Sequence, residues 1–289
     1  MKYFSSKTEI NEIKFFFEKE KKPFVIRSAH KSSIDLGYLK KYFGKEVVTS
    51  LNPSSNREDI LLSKLIKSLD KGLKYRLRAN TKIGNKIVTH LDTKIIDSIK
   101  NKKKNPFDYL LSYGKSSRQH TLFLSSKDCT FAKHSHVTSG LIMNLFGKKK
   151  WFISKSRESF WTIKYKNISF PNPLYITDKN IKIEEEVELE PGDILYMPAY
   201  WFHYTFSEDI SISYNYFFTE SISYYLKKSF LMLMFQAFTN PFYSLIRGLQ
   251  QEPEKHIFHK QDFINRCNKI KNKIKRVEAL QYFKESDYS

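Results

Sequence analysis

Cysteine is nearly absent from this sequence. Two residues in 289, Cys129 and Cys267, are too few for the disulfide framework of a small secreted domain. No run of about eighteen apolar residues occurs, so no helix that could span a bilayer is expected. The first residues, Met1-Lys2-Tyr3-Phe4-Ser5-Ser6, show no apolar stretch leading to a small-residue cleavage site. Together these absences predict an intracellular, cytoplasmic protein. Arginine is scarce as well: nine residues against forty-one lysines. Phosphate and base recognition favours the fork of arginine, so the net charge of +20 supports nucleic-acid binding only weakly. The lysine excess travels with Asn, Ile, Tyr and Phe, the composition of an AT-rich genome. Aromatic residues are plentiful, with 24 Phe and 18 Tyr, and this length can bury a sizeable core in one large domain.

Two stretches carry the chemistry. In the first, His134 and His136 are two apart, so on one β-strand both imidazoles would leave the same face. The apolar residues 141–146 follow, and Gly147 with Lys148-Lys149-Lys150 turns the chain into Trp151-Phe152-Ile153, a strand–turn–strand pattern. In the second, Pro191-Gly192-Asp193 is turn chemistry, residues 194–197 form a short apolar strand, and His203 arrives after a second turn at Pro198. Two histidines from one strand and one from a distant strand make a facial set that leaves coordination positions open. Non-haem iron sites use that geometry, with a carboxylate as the usual third ligand.

The remaining elements are read from periodicity. Residues 6–20 form a helix with capping-box spacing at Ser6 and Glu9, ended by Lys21-Lys22-Pro23. A strand at Phe24-Val25-Ile26-Arg27, a helix over residues 35–43 stopped by Gly44, and a strand at residues 46–48 follow. Residues 59–69 read as a helix, 75–79 as a strand, 81–105 as either a hairpin or a short helix, and 106–113 as a helix. His120 alternates with Leu122 and Leu124 in a strand and reads as a packed or hydrogen-bonded residue, not a ligand. Residues 154–180 read as an irregular insertion, Glu184-Glu185-Glu186 as a solvated run, and residues 210–217 as an alternating strand. From residue 221 the character is helical. Phe263, Cys267, Ile270, Ile274 and Val277 form a heptad seam that could pair with a second chain or pack on its own barrel. Residues 226–249 allow a further reading, a helix lying on a membrane surface.

The two stretches resemble the cupin-like hydroxylases related to Jumonji-C proteins and asparaginyl hydroxylases. Their pattern is H-x-D, then G-x-K before an aromatic strand, then P-G-D-x-L-Y-x-P-x-x-W-x-H. This chain supplies His134-Ser135-His136, Gly147-Lys148-Lys149, and the whole of Pro191-Gly192-Asp193-Ile194-Leu195-Tyr196-Met197-Pro198-Ala199-Tyr200-Trp201-Phe202-His203. The order of the parts extends the resemblance over about residues 20–220. It implies a mainly β double-stranded β-helix, the cupin jelly roll, with an N-terminal α/β cap over residues 1–115, a core at 116–220 and C-terminal helices at 221–289. It also implies iron ligands at His134 and His203, and a cosubstrate-binding role for Lys149 and Asn215 toward 2-oxoglutarate. The long insertion would shape the substrate entrance through Trp161, Tyr165, Phe170 and Tyr175, or simply pack its aromatics beneath the loop.

Three positions depart from the pattern. His136 stands where the family has aspartate, its threonine upstream falls at Phe131, and the polar residue six after the first histidine is Gly140. His-x-His is also the first half of the ordinary cupin motif, whose glutamate slot is Gly140 here. His134, His136 and His203 then make a three-histidine set resembling thiol and diketone dioxygenases. Fe(II) is the expected metal, and such neutral ligands also suit zinc or copper. The sequence therefore predicts a mononuclear iron oxygenase of the 2-oxoglutarate hydroxylase kind, acting on a small molecule or peptide. A three-histidine oxygenase independent of 2-oxoglutarate and a non-catalytic metal-binding or interaction module stand beside it. The C-terminal seam makes a homodimer a candidate assembly.

Overall fold

The computed structural model describes residues 1–51, 57–77, 80–99, 120–136, 138–154, 162–165, 168–171, 183–221 and 223–224. The chain begins with β1 (Lys2–Ser5), α1 (Ile10–Glu20), β2 (Phe24–Arg27), α2 (Leu36–Phe43), β3 (Val47–Leu51), β4 (Arg57–Leu61), α3 (Leu62–Asp70) and β5 (Arg76–Leu77). Two short helices follow, α4 (Thr81–Ile87) and, after a 3-10 turn, α5 (Lys94–Ile99). Strands then dominate: β6 (His120–Ser125), β7 (Cys129–His134), β8 (Ser139–Phe146), β9 (Lys149–Ser154), β10 (Thr162–Tyr165), β11 (Ile168–Pro171), β12 (Glu185–Leu189), β13 (Ile194–Met197), β14 (Phe202–Ser207) and β15 (Ser211–Phe218).

Eight of these strands make a double-stranded β-helix. One sheet runs β13-β8-β15-β6 and the facing one β12-β9-β14-β7, with antiparallel neighbours throughout. The N-terminal strands prolong the first sheet at both ends, β1-β2 beside β13 and β5-β3-β4 beside β6. The alternation of each strand divides its residues between two environments. Outward residues such as Leu122, Leu124, Leu141, Met143, Tyr196 and Tyr214 join the helices in one apolar cluster. Aromatic edges lock α1 onto that face: Phe17 meets Tyr196 at 4.8 Å, and Phe4, Phe16 and Phe24 meet one another at 5.4–5.8 Å. Inward residues Val25, Ile142, Trp151, Ile153, Leu189 and Leu195 form a second cluster between the sheets.

The turn at Pro191-Gly192-Asp193 joins the N-terminal segment to the barrel. Asp193 is buried, takes an ion pair from Arg27 Nη1 at 2.5 Å, and accepts from the Ser28 and Glu190 amides at 3.0 Å each. Gly192 holds φ at +99°, and a Cβ there would stand 2.7 Å from the His30 carbonyl oxygen, so the turn requires glycine. Asn144, in the middle of the apolar β8, donates to the Gly147 and Leu189 carbonyls and pins two turns from inside.

Several expectations change. The helix predicted from residue 6 begins at Ile10. Ser5 and Thr8 bond each other's backbone in a turn after β1, so Ser6 and Glu9 make no capping box. The first residues of the helix predicted over 59–69 are strand: Asp59, Ile60 and Leu61 pair with Thr49, Val48 and Val47, and α3 starts only at Leu62. Cross-strand pairing outweighs helical periodicity there. Residues 81–99 are short helices, not a hairpin. The insertion contains the hairpin β10–β11 and is therefore not wholly irregular. Glu185 is half-buried within an otherwise exposed acidic run. The helix predicted at 106–113, the aromatic entrance side chains and the C-terminal helical region from 225 lie outside the described residues. Among the described residues no helix is long and apolar enough to cross a membrane.

Replacing Asp193 with alanine strands the half-exposed Arg27 and two amides. The expected loss is about 2–3 kcal/mol, read as a lower urea midpoint with unchanged slope.

Candidate functional site

The interior between the sheets has two halves. Its β13, β12 and β9 side is apolar, whereas the β6, β7, β14 and β15 side carries buried Thr121, Ser125, Ser207, Ser213 and Asn215. His203 and Thr205 point into this polar half from β14, because Tyr204 between them stacks outside on Phe152 at 4.3 Å.

His134 reaches this neighbourhood through an irregularity. On β7, Cys129 and Phe131 pair with Ser207 and Thr205, yet the next pair is His134 with His203. Three residues of β7 are spanned against two of β14, so a β-bulge inserts one residue. The backbone of His134 consequently stands opposite His203; its side chain lies outside the described residues. His134 ends the strand, and His136 belongs to the connection before β8. The two are not neighbours on one strand face, which corrects the sequence expectation. The His136 carbonyl instead accepts from the Tyr200 amide at 2.7 Å, and Tyr200 holds a φ of +65°. That bond joins the His-x-His connection to the turn before His203.

The His136 ring lies 5.3 Å from the His203 ring, centroid to centroid, and 5.4 Å from Phe217. Trp151 flanks His203 at 5.4 Å. His203 Nδ1 donates to the Trp201 carbonyl at 3.1 Å, which makes Nε2 the lone-pair nitrogen. Burial lowers the His136 pKa to about 4, and burial, His136 and Lys149 lower that of His203 to about 3. Both rings are neutral at pH 7, the form that ligates a divalent transition metal. Among the described residues, no three His, Cys, Asp or Glu gather at one point. At Gly140, a Cβ would meet the Phe217 ring at 3.4 Å, so an aromatic ring fills the space beside the cupin glutamate slot.

Strand alternation sorts the lysine run. Lys148 pairs with Glu188 and Glu190 and Lys150 with Glu208 on the outside, while Lys149 is 7% exposed and faces inward. No hydrogen-bond acceptor meets Lys149 among the described residues, and burial with the nearby Arg76 lowers its pKa to about 8. Asn215 faces the same interior from β15, and its Oδ1 has no hydrogen-bond partner among the described residues. His120 lies on the opposite face, bonded to Tyr214 and stacked with it, as the sequence suggested.

Three neighbours escaped the sequence reading. Arg76 and Trp151 turn inward on short strands, and only exact register reveals it. Glu220, just beyond β15, is buried and bound by Ser139 at 2.6 Å, Tyr196 at 2.8 Å and Lys21 at 2.7 Å. Ser139 in turn accepts from the Ala199 amide at 2.9 Å, so this network ties α1 to the turn before His203.

Eight antiparallel strands in two facing sheets, with histidines at one end and a buried lysine on an inner strand, define a cupin-type barrel. Residues 94–225 match the family model of the JmjC domain. That stretch is thus similar to the cupin-like JmjC family. No curated protein matches the chain significantly.

Because both rings resist protonation when folded but titrate near 6.5 when unfolded, stability is full above pH 6.5 and falls as pH drops toward 4 and then 3. A His203→Gln variant should show a visibly shallower fall of Tm between pH 6.5 and 4 than wild type. An equal slope would mean that His203 is not the group responsible.

Proposed function

We propose that the chain is a mononuclear non-haem metal oxygenase. Fe(II) would be held by His134, His136 and His203, and 2-oxoglutarate would be the cosubstrate, anchored by Lys149 and Asn215. The observation that carries this reading is a single one. Within a JmjC-like barrel, two neutral imidazoles 5.3 Å apart share an interior with a buried lysine that no acceptor meets among the described residues. When bound, a ferrous ion supplies the activation of dioxygen.

The protein's own residues do the rest. The Trp201 carbonyl orients His203, and the Tyr200–His136 backbone bond holds His136 beside it. Lys149 provides the ionic partner that a carboxylate needs once it leaves water. The Asn215 amide completes the polar wall opposite, and the apolar half excludes water from the other side.

A second reading has its own support: His136 brings a neutral ring where the hydroxylase pattern has a carboxylate, which favours an oxygenase that works without 2-oxoglutarate. The substrate is read as a small molecule or a peptide and the location as cytoplasmic. A homodimer through the C-terminal helices rests on residues outside those described.

Metal content and succinate release test these readings together. Wild type should hold about one equivalent of iron and release succinate, His136→Ala should lose most of the metal, and Lys149→Ala should keep metal while losing succinate. Iron without succinate selects the 2-oxoglutarate-independent oxygenase. Succinate only from His136→Asp marks a hydroxylase scaffold that has left that reaction, and failure to bind metal anaerobically leaves an interaction module.

A further inference from the structure

A cluster of aromatic rings lies open on the N-terminal cap, outside the stretch matched by the family model. Tyr38 and Tyr42 are four apart on α2, so one helix face carries both, and their ring centroids stand 4.5 Å apart. His90, at the end of the 3-10 turn Val88–His90, meets the two rings at 5.8 and 6.4 Å. Rings gathered in this way are normally buried, yet Tyr42 remains 55% exposed and His90 is exposed beside it, with the half-buried Tyr38 as their floor. Positive charge surrounds the cluster. Lys41 holds its ammonium 5.2 Å from the Tyr42 centroid, and neither it nor the exposed Lys45 has a carboxylate partner among the described residues. Glu46 follows directly, but Lys82 and Lys86 of α4 both bind it, and two ammoniums on one carboxylate leave positive charge over. Asp92, two residues beyond His90, is turned to the Lys94 amide. Lysines in the last turn of α2 suit the helix dipole, which accounts for their charge but not for the open rings.

We propose that this face of the cap is a docking surface for single-stranded nucleic acid, with unpaired bases stacking on Tyr42 and His90 and backbone phosphates meeting Lys41, Lys45 and the Lys82–Lys86 pair. Chemistry decides the class of partner. An acidic polypeptide would use the lysines and leave the rings idle, and a duplex hides the flat faces of its bases. An unpaired strand offers a flat face and an anionic group with every nucleotide. The scarcity of arginine counts against reading base edges but not against this mode, because a strand held by stacking and charge needs no fork. The surface should therefore show little sequence preference. The inference stands apart from the oxygenase reading, since no residue of that site takes part.

Fluorescence anisotropy of a labelled oligouridylate, titrated with the full-length protein across a salt series, tests this. Wild type should bind at about 0.1 M salt, with an affinity that falls as salt rises. Tyr42→Ala should lose about tenfold, whereas Tyr42→Phe should bind like wild type because the ring face and not the hydroxyl is used. Lys41→Gln combined with Lys45→Gln should lower the salt slope by about 1.4. Lys14→Gln combined with Lys19→Gln, exposed positions on α1, should leave the affinity within about twofold of wild type. An oligoglutamate of equal charge should bind about tenfold more weakly and be indifferent to Tyr42→Ala. Equal binding of the oligoglutamate, or an equal loss with the α1 pair, overturns the proposal and leaves the diffuse attraction of a chain of net charge +20. Absence of oligouridylate binding at that salt overturns it outright. Should Tyr42→Ala fail to fold, the α2 lysine pair decides: a salt slope equal to wild type overturns the proposal.

Discussion

One extra residue in β7 sets the relation between the two histidine-bearing segments. Cross-strand pairing would otherwise continue by twos from Cys129–Ser207 and Phe131–Thr205 and bring Lys133 opposite His203. The bulge shifts the register so that His134 takes that place. Because β14 is also paired along its whole length to β9, the shift is confined to β7 and the chain end it leads into. The next connection is then short enough for the His136 carbonyl to receive the Tyr200 amide. A positive φ at Tyr200, costly for a tyrosine, persists because that bond and complete burial of the residue hold it.

A buried polar network supports this end of the barrel from outside. Glu220 is satisfied by two hydroxyls and the Lys21 ammonium, and Ser139 passes the connection on to Ala199. Tyr224 donates to the Ala199 carbonyl, so both backbone groups of that residue are engaged. A buried carboxylate is tolerable only when its lone pairs are filled, and here filling them joins α1 to the turn that delivers His203. Asp193 does the same for β2 at the opposite end of β13. The N-terminal elements thus brace the barrel at both ends of one strand.

The barrel was legible because its signals are local. Alternation in residues 211–217, the apolar run of β8 and the Pro191-Gly192-Asp193 turn each report their own environment. Lys149 was singled out only through the resemblance; the alternation on β9 that separates it from Lys148 and Lys150 became visible with the fold. What depends on long-range pairing was not legible. Asp59-Ile60-Leu61 carry a helical spacing but are recruited as strand by Val47-Val48-Thr49. His134 and His136 look like strand neighbours, yet the strand ends between them. Arg76 occupies a two-residue strand whose inward face is defined only by its pairing with Ser125. A bulge leaves no mark in composition at all.

The charge balance of the polar half follows from these placements. Lys149 and Arg76 bring positive charge, the histidines are neutral, and among the described residues the strands β6, β7, β14 and β15 bring no carboxylate, the inward Glu185 lying on β12 against the Met1 ammonium. Where the hydroxylase pattern has an aspartate, His136 removes the one negative charge that would offset a divalent cation. On the proposed reading, Lys149 meets one carboxylate of the cosubstrate, and the metal's charge is offset by the cosubstrate and not by a protein carboxylate. Each should bind more tightly with the other present, and by linkage the enhancement is the same in both directions. An aspartate at 136 would weaken that mutual dependence by neutralising part of the metal's charge in advance. The exchange of one ligand type thus shifts electrostatic compensation from the chain to its ligands.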